Sequence, residues 1–174
     1  MTTRFIDKYG ITSDDDLNNL SKQMGFDIDY IGFAENLNIS NLNMLNERKL
    51  IVINLGNNEI SGTHWTAIVL FNNENSLYFD SFCSPPEDIL IEKLKSFGIK
   101  NIIYNDYFQL QGLTELLCGI WVLSFLKQYT KESFPLARPT TKKIMNQFQK
   151  FTKNYIDING SYKSSDLIGK SIRL

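Results

Sequence analysis

The chain has 174 residues, 43% of them hydrophobic and 13% aromatic, which is enough apolar material for one folded domain spanning 1–174 and excludes wholesale disorder. A formal net charge of -1 excludes a uniformly basic nucleic-acid binder. No apolar run approaches the roughly 18 residues of a membrane span, and the opening MTTRFIDKYGITSDDD has no apolar signal core, so neither membrane insertion nor secretion is expected.

In chain order, Ser13 followed by three aspartates reads as the N-cap of a helix running to about Met24, with Gly25 as its stop. Leu50–Leu55 reads as a buried strand. Trp65–Phe71 and Ser76–Asp80 read as two strands of a hairpin, joined by the turn-forming Asn72–Asn75 segment. Pro85 and Pro86 break the chain before a helix over about Glu87–Phe97, ended by Gly98. Asn101–Asn105 reads as a fourth strand, Gly119–Tyr129 as a strongly apolar helix and Thr141–Tyr155 as an amphipathic one. Strands in the middle with helices at the flanks predict an α+β fold, a small central mixed sheet packed against helices.

Charge is unevenly spread. Residues 1–126 carry 8 Lys/Arg against 16 Asp/Glu, a net -8, and residues 127–174 carry 10 against 3, a net +7. The basic segment from about 139, with Lys142, Lys143, Lys150, Lys153, Lys163, Lys170 and Arg173, reads first as a solvated helix face and polar terminus; contact with DNA is the sharper alternative.

Cysteine and histidine are scarce. Cys83 and Cys118 are too few for a disulfide framework, and with His64 as the one histidine they cannot alone form a four-ligand zinc site. Any Cys–His chemistry must therefore use His64. Cys118 stands between a polar loop and an apolar helix, where the helix dipole favours a nucleophilic thiolate and Gly119 leaves room for a substrate backbone; buried core is its structural alternative. His64 precedes the first hairpin strand and Asp80 closes the second, so the two become neighbours across the ladder, and a carboxylate there can orient the imidazole. A turn-capping role is the alternative for Asp80. Trp65 can lie over the imidazole or belong to a hairpin face. Gln111, seven residues before Cys118, can fold back as an oxyanion donor together with the Cys118 backbone N–H; Gln109 competes for that role.

Taken together, GTHW, then YFDSF-x-x-PP, then QG-x5-CG ahead of an apolar helix resembles the adenain family, the adenovirus maturation protease and related cysteine proteases of large DNA viruses and virophages. The SUMO-deconjugating proteases share the broader His–Asp–Gln–Cys order. The resemblance spans roughly residues 10–130. It implies a papain-like arrangement in circularly permuted order, with His64 as general base, Asp80 as the acidic third member (adenain has Glu), Gln111 rather than Gln109 as the oxyanion glutamine, Cys118 as nucleophile, and Trp65 and Gly119 in support. It further implies cleavage of capsid or other structural precursors after Gly or other small residues during virion maturation, in the virion and infected cell, with no metal or organic cofactor. Residues 84–117 contain no Cys and Cys83 is too close to Asp80 to match the family's peptide-linking thiol, which argues against a disulfide-linked peptide cofactor. Three other functions fit parts of the pattern. A deconjugase of ubiquitin-like modifiers would need a more extended surface, an acetyltransferase using the same His–acid–Cys order would need a CoA site, and a capsid-binding pseudo-enzyme would have no need of all four residues.

Overall fold

The computed structural model describes residues 13–38, 48–56, 64–71, 75–105, 118–130 and the backbone of 169–173. Six strands form one mixed sheet in chain order: β1 (Tyr30–Phe33), β2 (Lys49–Asn54), β3 (Trp65–Phe71), β4 (Asn75–Phe79), β5 (Asn101–Asn105) and β6 (Gly169–Arg173). The pairs β1–β2 and β4–β5 are parallel; β2–β3, β3–β4 and β5–β6 are antiparallel. Among the described residues, three α-helices cover the sheet, α1 (Asp14–Gln23), α2 (Asp88–Ser96) and α3 (Cys118–Lys127), with a short 3-10 turn at Ala34–Asn36. The architecture is α+β.

Helix α1 begins at a reciprocal cap. The Ser13 hydroxyl accepts from the Asp16 N–H at 3.1 Å, and the Asp16 carboxylate accepts from the Ser13 N–H at 3.0 Å. Its buried residues Leu17, Leu20 and Ser21 fall at helical spacing. Gly25, at φ +90, takes the left-handed conformation that ends the helix.

Period-two alternation along β3 sorts the core into two layers. Trp65, Ala67, Val69 and Phe71 join α1 and α3 on one face of the sheet. Ile68 and Leu70 join Leu90 and Leu94 of α2 and Ala34 of the 3-10 turn on the other. Because both faces are covered, all seven residues of β3 are buried, which is why its sequence is an unbroken WTAIVLF. The α3 layer is rich in aromatic contacts: Phe79 stacks on Phe125 with centroids 4.7 Å apart, and Phe125 meets Tyr129 at 5.0 Å. Arg48 holds the other end of α3, donating to the Tyr129 carbonyl at 2.8 Å.

The expected hairpin is present as the antiparallel β3–β4 pair. Two strands come from outside the middle of the chain and were not expected. β1 pairs with β2, and β6 adds the carboxyl-terminal segment to β5, with Gly169 opposite Asn105. The helix expected at Thr141–Tyr155 and the lysines from Lys142 to Lys163 lie outside the described residues. Lys170 and Arg173 fall within β6.

Candidate active site

The amino end of β3 and the carboxyl ends of β4 and β5 lie at the same end of the sheet, where the first residue of α3 acts on His64. His64 directly precedes β3, and its carbonyl accepts from the Leu55 N–H at 2.8 Å, which extends the β2–β3 ladder and fixes the main chain that carries the imidazole. Asp80 directly follows β4. The chain turns sharply there, with the Cys83 N–H donating to the Asp80 carbonyl at 2.8 Å and Cys83 itself at φ +58. A left-handed cysteine is an uncommon conformation, and here it completes the turn that presents Asp80.

His64 Nε2 donates to Asp80 Oδ1 at 2.7 Å. The same Oδ1 accepts from the Phe82 N–H at 2.8 Å. Asp80 is 1% exposed, so the carboxylate is removed from water and satisfied by protein donors. Asn105, the last residue of β5, hydrogen-bonds the Asp80 main chain.

Cys118 is the first residue of α3, and it acts on the His64 ring as a second electrostatic neighbour beside Asp80. Because Nε2 is engaged by Asp80, Nδ1 is the nitrogen left for the sulfur. The thiol is 7% exposed and belongs to the α1–α3 core layer, so it is a packed side chain. Gly119 is buried beside it in the first helical turn.

Burial, the largest single influence on His64, disfavours the charged ring. The hydrogen bond to Asp80 and the neighbouring Cys118, with the charges of both, outweigh it and raise the imidazole from 6.5 to about 9. The ring is therefore an imidazolium at neutral pH, held between a carboxylate and a sulfur.

Trp65 is not the aromatic that covers this ring in the structure. Its side chain is buried in the core layer that also holds Cys118. Phe82 lies against the imidazole instead, with centroids 4.6 Å apart and planes tilted by 33°. Continuing the β3–β4 register beyond Ala67 and Phe79 puts residue 82 across from residue 64. Phe82 and Asn105 thus enter the site without having been anticipated; an asparagine closing the strand after Ile102, Ile103 and Tyr104 was the available sign of the second. Gln111 and its competitor Gln109 lie outside the described residues.

Among the described residues, no group of three or more His, Cys, Asp and Glu side chains is arranged to hold a metal ion, and no helix is long and apolar enough to cross a membrane. Searches against protein-family models, curated proteins and solved structures returned no match to this chain, so its activity has to be argued from the chemistry of the site and from the motifs that carry the resemblance.

Proposed function

We propose that the chain is a cysteine endopeptidase of the adenain kind, with a papain-like catalytic arrangement in permuted order. The observation that carries this reading is one imidazole bonded to Asp80 at 2.7 Å through Nε2 and paired with Cys118, the residue that opens an apolar helix. A carboxylate on one side of an imidazole and a helix-start thiol on the other is the arrangement of a general base beside an activated nucleophile.

The reaction follows from these positions. Cys118 Sγ, as a thiolate charge-paired with the imidazolium, attacks the scissile carbonyl carbon and forms a C–S bond while the carbonyl electrons move onto oxygen. The Cys118 backbone N–H and, as the motif resemblance implies, the Gln111 carboxamide hold that oxyanion; losing one such donor typically costs about 10²–10³ in rate. His64 gives its proton to the departing amine as the C–N bond breaks, which leaves a thioester. Water then loses a proton to His64 and adds to the thioester, and the carboxylic acid leaves as the sulfur takes back the C–S electrons. Asp80 keeps the ring oriented and stabilises its charged form. Gly119, with no side chain, leaves space for the substrate backbone beside the sulfur, and Trp65 supports the site from the core. The motif resemblance directs this chemistry to viral capsid or other structural precursors, cut after Gly or other small residues during virion maturation in the infected cell. DNA is a candidate ligand of the basic carboxyl-terminal segment.

The test is cleavage of co-expressed structural precursors by the parent chain, Cys118→Ala and His64→Ala, with the new termini read by mass spectrometry. The expected result is cleavage after small residues by the parent and a loss of about 10³-fold or more in both variants. Full activity in either variant refutes the assignment.

A further inference from the structure

Asp80 reaches His64 from a turn, and a turn alone does not hold a side chain in one place. The backbone pairing of β4 with β5 runs only to Tyr78 and Tyr104. One residue further on in β5, a side chain takes over from the ladder. Asn105 Oδ1 accepts from the Asp80 N–H at 2.9 Å, and Asn105 Nδ2 donates to the Asp80 carbonyl at 2.7 Å. A single carboxamide thus meets both main-chain groups of Asp80, as the peptide unit of a neighbouring strand would. Nδ2 also lies 3.4 Å from Cys83 Sγ, so the same group touches both ends of the turn. Asn105 is 3% exposed, and water does not substitute for it there.

We propose that Asn105 is a positioning residue: by clamping the Asp80 main chain at both its N–H and its carbonyl, the carboxamide sets where the carboxylate meets His64. Its catalytic meaning rests on the protease reading, but the clamp itself is measurable without substrate.

The side-chain chemistry is specific. Two-point pairing needs a donor and an acceptor on one carbon, a single methylene from the backbone, and only asparagine supplies both at that reach. Aspartate is of equal size but has no donor for the Asp80 carbonyl, and it sets a second negative charge beside the first. Leucine keeps the volume and removes both bonds. Serine keeps one. The charged and titratable groups acting on His64 are Asp80, after β4, and Cys118, on α3, so a shift of the Asp80 carboxylate registers directly in the titration of the ring.

His64 is the one histidine of the chain, so its imidazole signals in the NMR spectrum of the 174-residue chain need no disentangling. The experiment follows the ring carbon-bound proton against pH in the parent, Asn105→Leu and Asn105→Ser, and measures peptide hydrolysis alongside. The expected result is a midpoint at least about one unit lower in Asn105→Leu, a smaller fall in Asn105→Ser, and a drop in kcat of about 10- to 10²-fold with little change in KM. Parental midpoints in the folded variants, with only a lower Tm, overturn the proposal. Should Asn105→Leu fail to fold, Asn105→Ser decides on the same criterion. Should neither fold, the parent decides: Asn105 side-chain amide signals that follow the His64 titration support the clamp, and signals that ignore it overturn the clamp. The two readings fail separately. A lowered midpoint in a chain that cleaves nothing removes the protease and keeps the clamp, and an unmoved midpoint in an active peptidase does the reverse.

Discussion

On one side of the His64 ring, Asp80 is held by hydrogen bonds: the Phe82 N–H on its carboxylate, from within the Asp80–Cys83 turn, and the Asn105 carboxamide on its main chain, from the end of β5. On the other side, Cys118 is held by apolar contact, at the end of a helix anchored through Phe125 and Tyr129 against β3 and β4. The difference is one of stiffness and of error. A hydrogen-bonded turn fails locally when one donor is removed, because the unpaired buried group costs about 1–3 kcal/mol and the carboxylate swings. A packed helix fails collectively, because removal of one ring leaves a cavity that many neighbours feel. Substitutions on the two sides should therefore separate into those that change His64 and those that change global stability.

The largest expected effect is on the packed side. Phe125 is fully buried and stacked on Phe79 at 4.7 Å, so Phe125→Ala should cost about 3–5 kcal/mol in urea unfolding. In the protein that remains folded, the His64–Asp80 bond should persist, with the sole imidazole still titrating near its parental midpoint. A collapse of that midpoint would show that the turn borrows its geometry from α3, and the contrast between the two sides would be lost.

On the hydrogen-bonded side, Asp80→Asn should act through charge. His64 has a folded-state value of about 9 against 6.5 in the unfolded chain, so its contribution to stability is complete below about pH 6.5 and is lost as pH rises through about 9. The raised value corresponds to roughly 3 kcal/mol. The parent should accordingly become easier to unfold in urea between pH 6 and 9.5, and Asp80→Asn should flatten much of that slope. Under the proposed peptidase reading, the alkaline limb of hydrolysis should move to lower pH in the same variant, because the imidazolium is lost sooner. Cys118→Ser, which alters the weaker partner of the ring, should lower the midpoint less than Asp80→Asn. The opposite ranking would mean that the sulfur, not the carboxylate, holds the ring charged.

What could be read in the sequence follows the same division. The spacing of His64 and Asp80 is interpretable because a hairpin is a local object: two apolar runs and an intervening turn fix which ends meet. Cys118 is interpretable because the start of an apolar helix is also a local feature. β1 and β6 were hidden, since four or five residues containing glycine (Gly32, Gly169) become strands only when β2 and β5 offer them an edge. Asn105 was hidden for a related reason. Its partner is the main chain of a residue 25 positions earlier, set by parallel strand register, and no composition or period encodes such a contact. Trp65 shows where a local cue leaves two readings open. Adjacency to His64 allowed a ring over the imidazole or a place on a hairpin face, and alternation along β3, which sends successive side chains to opposite faces, turns Trp65 into the α3 layer.

The smallest effect belongs to Phe82, which links the turn to the ring it serves. Its backbone N–H helps hold the Asp80 carboxylate at 2.8 Å, while its side chain lies against the imidazole at 4.6 Å. Phe82→Leu keeps the first contact and removes the second, which separates the two. An aromatic face stabilises a neighbouring cation by about 0.5–1 kcal/mol where solvent is partly present. The His64 midpoint should therefore fall by less than about one unit, with the change in unfolding free energy confined to the pH range where the ring is charged. The sign distinguishes the two roles available to this ring. If Phe82 serves the imidazolium through its π face, the midpoint drops. If it serves only as a lid that keeps water off the ring, its removal relieves the burial that opposes the charge, and the midpoint climbs.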